Sequence, residues 1–88
     1  MKHNPTLYNL LTGTALKDDE QFHVYLLRPD GWPWGYHGAF RDPDITARLY
    51  DFFLVDPEII GIWIMKESND GTTGKTIVKT YINGAYST

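Results

Sequence analysis

The sequence contains no cysteine, which excludes a disulfide framework, a Cys-type zinc site and a thiolate nucleophile. It also lacks a long apolar run. The longest, from Glu58 to Lys66, is far shorter than the roughly 20 residues that a membrane-spanning helix needs. Residues 1–5 lack the apolar stretch of a signal peptide. We therefore expect a soluble, cytoplasmic protein that forms a single domain over residues 1–88.

Positive charge is scarce. Eight Lys and Arg residues stand against eleven Asp and Glu residues, which gives a net charge of -3. A general nucleic-acid binder needs an excess of phosphate-neutralising cations, so this acidic balance disfavours that class. Motifs of nucleophilic catalysis are missing too, because the sequence has no cysteine and no G-x-S-x-G elbow. The His and Asp residues have no compact spacing that would suit a metal site. We therefore predict a non-catalytic protein without a metal or a cofactor.

Aromatic residues, by contrast, are plentiful: the chain has three Trp, six Tyr and four Phe. The most unusual stretch is W-P-W-G-Y-H-G at 32–38, in which two tryptophans flank a proline. Exposed, rigid aromatic side chains are typical of interaction hot spots. The alternative is that Trp32 and Trp34 fold over the end of the core and lock a hairpin.

The apolar pattern predicts a short helix, two strands, a longer helix and two more strands. Their ranges are 5–12, 22–28, 34–40, 43–55, 58–66 and 76–82. Asp42 suits a helix N-cap and Pro43 suits the first helical position. The following stripe has helical spacing and is expected to face the core. It consists of Ile45, Leu49, Phe52 and Phe53.

This order predicts a two-layer α+β fold, in which a four-stranded antiparallel sheet in the order 2-1-3-4 carries the helix 43–55 on one face. The strand 58–66 then lies between the first and the fourth strands. Pairing Ile64 with Val78 and Ile60 with Ile82 brings apolar residues together against the helix. In the first hairpin, a turn near Gly31 pairs Leu26 with Tyr36 and Tyr25 with His37.

The same register defines the opposite face of the sheet. Gly61, Trp63 and Met65 would lie across from Tyr81, Lys79 and Ile77, and Tyr81 would cover Gly61. The first hairpin would add His23, Tyr25, Leu27 and His37. A monomer rarely exposes such an apolar, aromatic patch. Three occupants are considered: the N-terminal segment 7–11, a second copy of the chain, or a different partner or ligand.

The leading hypothesis is a small protein that acts by binding another protein, or a second copy of itself, through this face and the 32–37 loop. The predicted contact residues are Trp32, Trp34, Tyr36, His37, Tyr25, Trp63 and Tyr81. Stacking of single-stranded nucleic acid on the aromatic face is one alternative. A small enzyme or ligand-sensing domain is the other.

Overall fold

The computed structural model describes residues 5–29, 35–70 and 74–82. Over these residues the chain forms two helices and four strands in the predicted order. Their bounds are α1 Pro5–Thr12, β1 Glu20–Leu27, β2 Gly35–Phe40, α2 Pro43–Leu54, β3 Gly61–Ser68 and β4 Thr76–Ile82. The strands form one antiparallel sheet in the order β2-β1-β3-β4, which confirms the predicted α+β class and strand order.

The predicted start of α2 is also confirmed. The Asp42 side chain accepts a hydrogen bond of 2.8 Å from the backbone N–H of Asp44, and Pro43 is the first helical residue. The carboxylate thus satisfies one of the N–H groups that have no partner within the helix. The Arg48 guanidinium lies 3.0 Å from the Asp44 carboxylate, one turn away.

The predicted limits of the central strand are wrong at both ends. Asp56 accepts a side-chain hydrogen bond from Glu58 N and a backbone hydrogen bond from Ile59 N, so a tight turn occupies the expected start of the strand. At the other end β3 continues to Ser68, because β1 begins at Glu20 and pairs with it there. Glu67, which belongs to a turn-like cluster in the sequence, is therefore a strand residue.

The predicted core stripe of α2 is rotated. Ile45 and Phe52 are 45% and 54% exposed, whereas the buried residues are Thr46, Ala47 and Tyr50. Two of these are small, which lets the helix backbone approach the sheet closely. Burial of the Thr46 hydroxyl costs little because it donates to the Asp42 carbonyl at 2.9 Å.

One apolar core joins both helices to alternate residues of the two central strands. Leu7 and Leu11 of α1 belong to it and are 2% and 1% exposed. Segment 7–11, one of the three occupants considered for the opposite sheet face, therefore lies on the core side instead, since α1 packs beside α2. The buried members of the core are Leu7, Leu11, Phe22, Val24, Leu26, Ala47, Tyr50, Ile59, Ile62 and Ile64.

Each edge strand contains a β-bulge that changes the predicted register. Between β1 and β2, Val24 pairs with Gly38 as expected, but Tyr25 then pairs with Tyr36, so His37 is an extra residue. His37 packs against Phe53, with ring centres 4.9 Å apart. The predicted pairings of Leu26 with Tyr36 and of Tyr25 with His37 are therefore wrong, since Leu26 pairs with Gly35.

The bulge in β4 lies at Val78. Met65 pairs with Ile77 as predicted, but Ile64 pairs with Lys79, so the expected pairing of Ile64 with Val78 is wrong. Every later residue of β4 lies on the face opposite to the predicted one. Tyr81 thus pairs with Ile62 and packs against the core, while Ile82 pairs with Gly61.

Candidate binding site on the second sheet face

The side of the sheet opposite the core is called here the second face. Alternation along the strands places on it the odd-numbered residues of β1 and β3, together with the residues of β2 and β4 that pair with them. Among its members are His23, Tyr25, Tyr36, Gly61, Trp63, Met65, Glu67, Ile77 and Ile82.

A polar cluster lies in the centre of this face. The Tyr25 hydroxyl donates a hydrogen bond of 3.0 Å to Oε1 of Glu67. Nδ1 of His23 lies 3.4 Å from the same oxygen and 3.1 Å from the Tyr36 hydroxyl. The four side chains come from three strands, so the cluster exists only when the sheet has formed.

The two ionisable groups at the base of the cluster are nearly inaccessible. His23 is 6% exposed and Glu67 is 8% exposed. Within the described ranges, Nε2 of His23 and Oε2 of Glu67 have no hydrogen-bond partner. Buried polar atoms are usually paired, because leaving one unpaired costs its desolvation energy. Unpaired buried atoms are tolerated more readily where they belong to a functional site.

The aromatic rings form a corner above this base. The Tyr25 and Tyr36 ring centres are 5.3 Å apart with planes at 62°, an edge-to-face contact. Tyr25 is half-buried, whereas Tyr36 is 57% exposed. Nζ of Lys75, just before β4, lies 5.2 Å from the centre of the Tyr25 ring. The corner therefore has a fixed inner wall, an exposed outer wall and a cation beside it.

The electrostatics of the cluster hold the Tyr25 proton in place. Burial, the hydrogen bond to Glu67 and the negative charge of Glu67 together raise the pKa of Tyr25 from 10.0 to about 12. Tyr25 therefore keeps its proton and is the donor of this hydrogen bond at any physiological pH. A catalytic tyrosinate needs the opposite shift of its pKa.

The sequence-predicted contact residues are divided between several places. Trp32 and Trp34 lie outside the described residues. Tyr25 and Tyr36 meet in the polar cluster, and Trp63 is the cross-strand neighbour of Tyr25. His37 and Tyr81 lie on the core side.

Sequence reasoning missed Glu67 and Lys75. The composition E-S-N-D-G at 67–71 favours a turn, so the sequence gives no reason to assign Glu67 to the strand. The signal that points to it is alternation, since Gly61, Trp63, Met65 and Glu67 are spaced by two. Lys75 has no comparable signal, because its place depends on the path of the loop before β4.

A second apolar surface lies on α2. Ile45, Arg48, Leu49 and Phe52 line a shallow groove of about 330 Å³ on the outside of the helix. Within residues 5–29, 35–70 and 74–82, no group of three or more His, Asp or Glu residues is arranged to hold a metal ion. None of the described helices is long and apolar enough to cross a membrane.

No protein-family model, curated protein or solved structure matches this chain. The geometry of the second face is therefore the basis for assigning a function.

Proposed function

We propose that this protein is a small non-catalytic protein that binds another protein through its second face. The observation that carries the proposal is the state of Tyr36. Its side chain is 57% exposed, yet its hydroxyl is fixed by His23 and its ring by Tyr25. An exposed aromatic side chain that is already ordered loses little entropy on binding, which is what an interaction hot spot requires.

The surroundings of Tyr36 support the same proposal. Ile77 and Ile82 of β4 are 59% and 42% exposed on the second face. An apolar rim beside a central polar cluster is a surface that can bury apolar area and also pair hydrogen-bonding groups. The raised pKa of Tyr25 keeps its hydroxyl protonated, so it serves this surface as a hydrogen-bond donor.

Site-specific photo-crosslinking in the cell that makes the protein tests the proposal. A photoreactive residue at Ile77 lies on the second face, whereas the same residue at Leu10, which is 44% exposed on α1, is the control. We expect a discrete adduct from position 77 and none from position 10. Excess unmodified protein should suppress the adduct, and excess Tyr36→Ser protein should not.

The identity of the adduct separates the two kinds of partner. An adduct with the mass of two chains, together with concentration-dependent sedimentation, identifies a second copy. Any other discrete mass identifies a different protein. Equal labelling from positions 77 and 10, or equal suppression by Tyr36→Ser protein, contradicts the proposal.

Single-stranded nucleic-acid binding stays a prediction. Lys79, which the predicted register placed on this face, pairs with Ile64 on the core side instead. Lys75 lies over the Tyr25 ring, but the buried Glu67 carboxylate at the centre of the second face repels phosphate.

A further inference from the structure

The contact between Lys75 and Tyr25 identifies the chemistry of the proposed partner. An ammonium group within about 6 Å of a ring centre is attracted by the negative face of the aromatic ring. Nζ of Lys75 meets this condition at 5.2 Å. From this contact we infer that the face of the Tyr25 ring is a cation-binding site, which takes a lysine or arginine side chain from a basic segment of the partner, and that Lys75 is its intramolecular occupant. This inference rests on the proposed function.

The corner is ordered before any ligand arrives. The Tyr25 ring cannot swing away without breaking the hydrogen bond from its hydroxyl to Glu67. Tyr36 is held at its hydroxyl by His23 and packs edge-to-face on Tyr25. A guanidinium or ammonium group that enters the corner therefore meets aromatic surface that does not need to be rearranged.

Charge favours a cation at this position. The Glu67 carboxylate lies at the far end of the Tyr25 hydroxyl, and its Oε2 has no hydrogen-bond partner within the described ranges. The potential of a buried carboxylate is weakly screened, so it reaches the ring. The imidazole of His23 faces the same carboxylate, and Nζ of Lys75 lies over the Tyr25 ring. The whole chain, at -3, attracts a basic segment.

Lys75 is suited to leave the Tyr25 ring. It is exposed, and it follows Gly74, whose positive φ of 73° sets the approach to β4. An exposed cation–π contact is worth about two- to fivefold in an equilibrium constant. A partner side chain that brings further contacts can therefore displace Lys75 at little cost.

An NMR titration of the full-length protein with matched peptides tests the inference. The probe is a short Gly-Ser peptide that contains one arginine, and its control carries citrulline, which has nearly the same shape and no charge. We expect the arginine peptide to shift the amide signals of Tyr25, Tyr36 and Glu67 in a saturable way. The citrulline peptide should leave them in place.

Three variants give the test its specificity. Lys75→Met removes the competing charge while keeping the side-chain length, so the arginine peptide should bind about two- to fivefold more tightly. Tyr25→Leu should abolish the response. Glu67→Gln keeps both rings and should weaken binding by about the same two- to fivefold factor, which covers the case in which Tyr25→Leu fails to fold.

Equal responses to the arginine and citrulline peptides, or no gain in Lys75→Met, overturn the inference. Saturation by free spermidine at a lower concentration than by the peptide also overturns it, since the ligand would then be a small polyamine. A failure here combined with a specific crosslink from position 77 refutes the cation site alone. Loss of that crosslink refutes the proposed function itself.

Discussion

Tyr25 is the residue at which burial, hydrogen bonding and charge act in the same direction. Burial makes the largest contribution to its raised pKa, followed by the hydrogen bond to Glu67 and the charge of Glu67. All three favour the neutral phenol, so the proton that Tyr25 donates to Glu67 is retained well above the ordinary range. This single hydrogen bond fixes both the inner wall of the corner and the position of the carboxylate.

A tyrosinate absorbance titration should show this effect directly. In the folded protein Tyr25 should ionise with a pKa of about 12, and Tyr25→Phe should remove that late step. Burial also raises the pKa of Tyr50, so a second late step should remain in the variant. Glu67→Gln should move the Tyr25 step to lower pH. A Tyr25→Phe curve with the same late amplitude as the wild-type curve would refute the assignment.

The same shift links Tyr25 to stability. Between pH 10 and about 12 the unfolded chain has lost the Tyr25 proton, whereas the folded chain has kept it. The unfolded state then binds fewer protons, so the free energy of unfolding falls as the pH rises through this range.

At the scale of elements, α2 offers the clearest contrast between sequence and structure. Its predicted apolar stripe has good helical spacing, yet Ile45, Leu49 and Phe52 line the outer groove, whereas Phe53, the remaining member, packs against the core. Periodicity identifies a helix and its apolar side. It does not show that the small residues Thr46 and Ala47 let the helix backbone approach the sheet closely. The start of α2, in contrast, follows from Asp42 and Pro43 alone, because capping is a local interaction.

Alanine substitutions of two isoleucines should test this orientation. Ile62→Ala in β3 removes a side chain that is 0% exposed and should destabilise the protein by about 2–5 kcal/mol. Ile45→Ala in α2 removes a side chain that is 45% exposed, and alanine is the better helix former. Its effect should stay within about 0.5 kcal/mol.

Urea unfolding followed by circular dichroism measures both values. A loss at Ile45 as large as the loss at Ile62 would show that the predicted stripe faces the core after all.

The strand registers show a similar limit. The pairings of Phe22, Val24 and Met65 follow from alternation. In each edge strand the predicted and observed pairings agree as far as the bulge and differ beyond it. A bulge adds one residue to a strand, and no particular residue type marks its position in the sequence. His37 and Val78, for example, are ordinary strand residues. The faces of Tyr36 and Tyr81 could not be read from the sequence for this reason.

For the molecule as a whole, the sheet order places β1 and β3 in the centre and β2 and β4 at the edges. Each central strand is hydrogen-bonded on both sides, and their alternate residues form the middle of the core. Edge strands open more readily because fewer contacts must be broken. The polar cluster depends on both classes of strand, since Tyr36 comes from β2 and Glu67 comes from β3.

Native-state amide hydrogen exchange should reflect this order. We expect the amides of Tyr25 and Trp63, which pair in the central β1–β3 ladder, to be the slowest to exchange, and those of Ala39 and Thr80 to exchange faster. Exchange of β4 amides that is as slow as that of β3 would contradict the order, and would point to a partner strand paired along that edge in solution.

The two bulges also bear on how the gene can change in length. A deletion within a regular strand moves every later side chain to the other face of the sheet. Loss of the residue at 37 or 78 would instead restore regular pairing and leave Tyr36 and Tyr81 on their present sides. These are the positions at which an ancestral insertion is most easily absorbed. We expect homologous genes to differ by single codons there, while the two faces of the sheet stay the same.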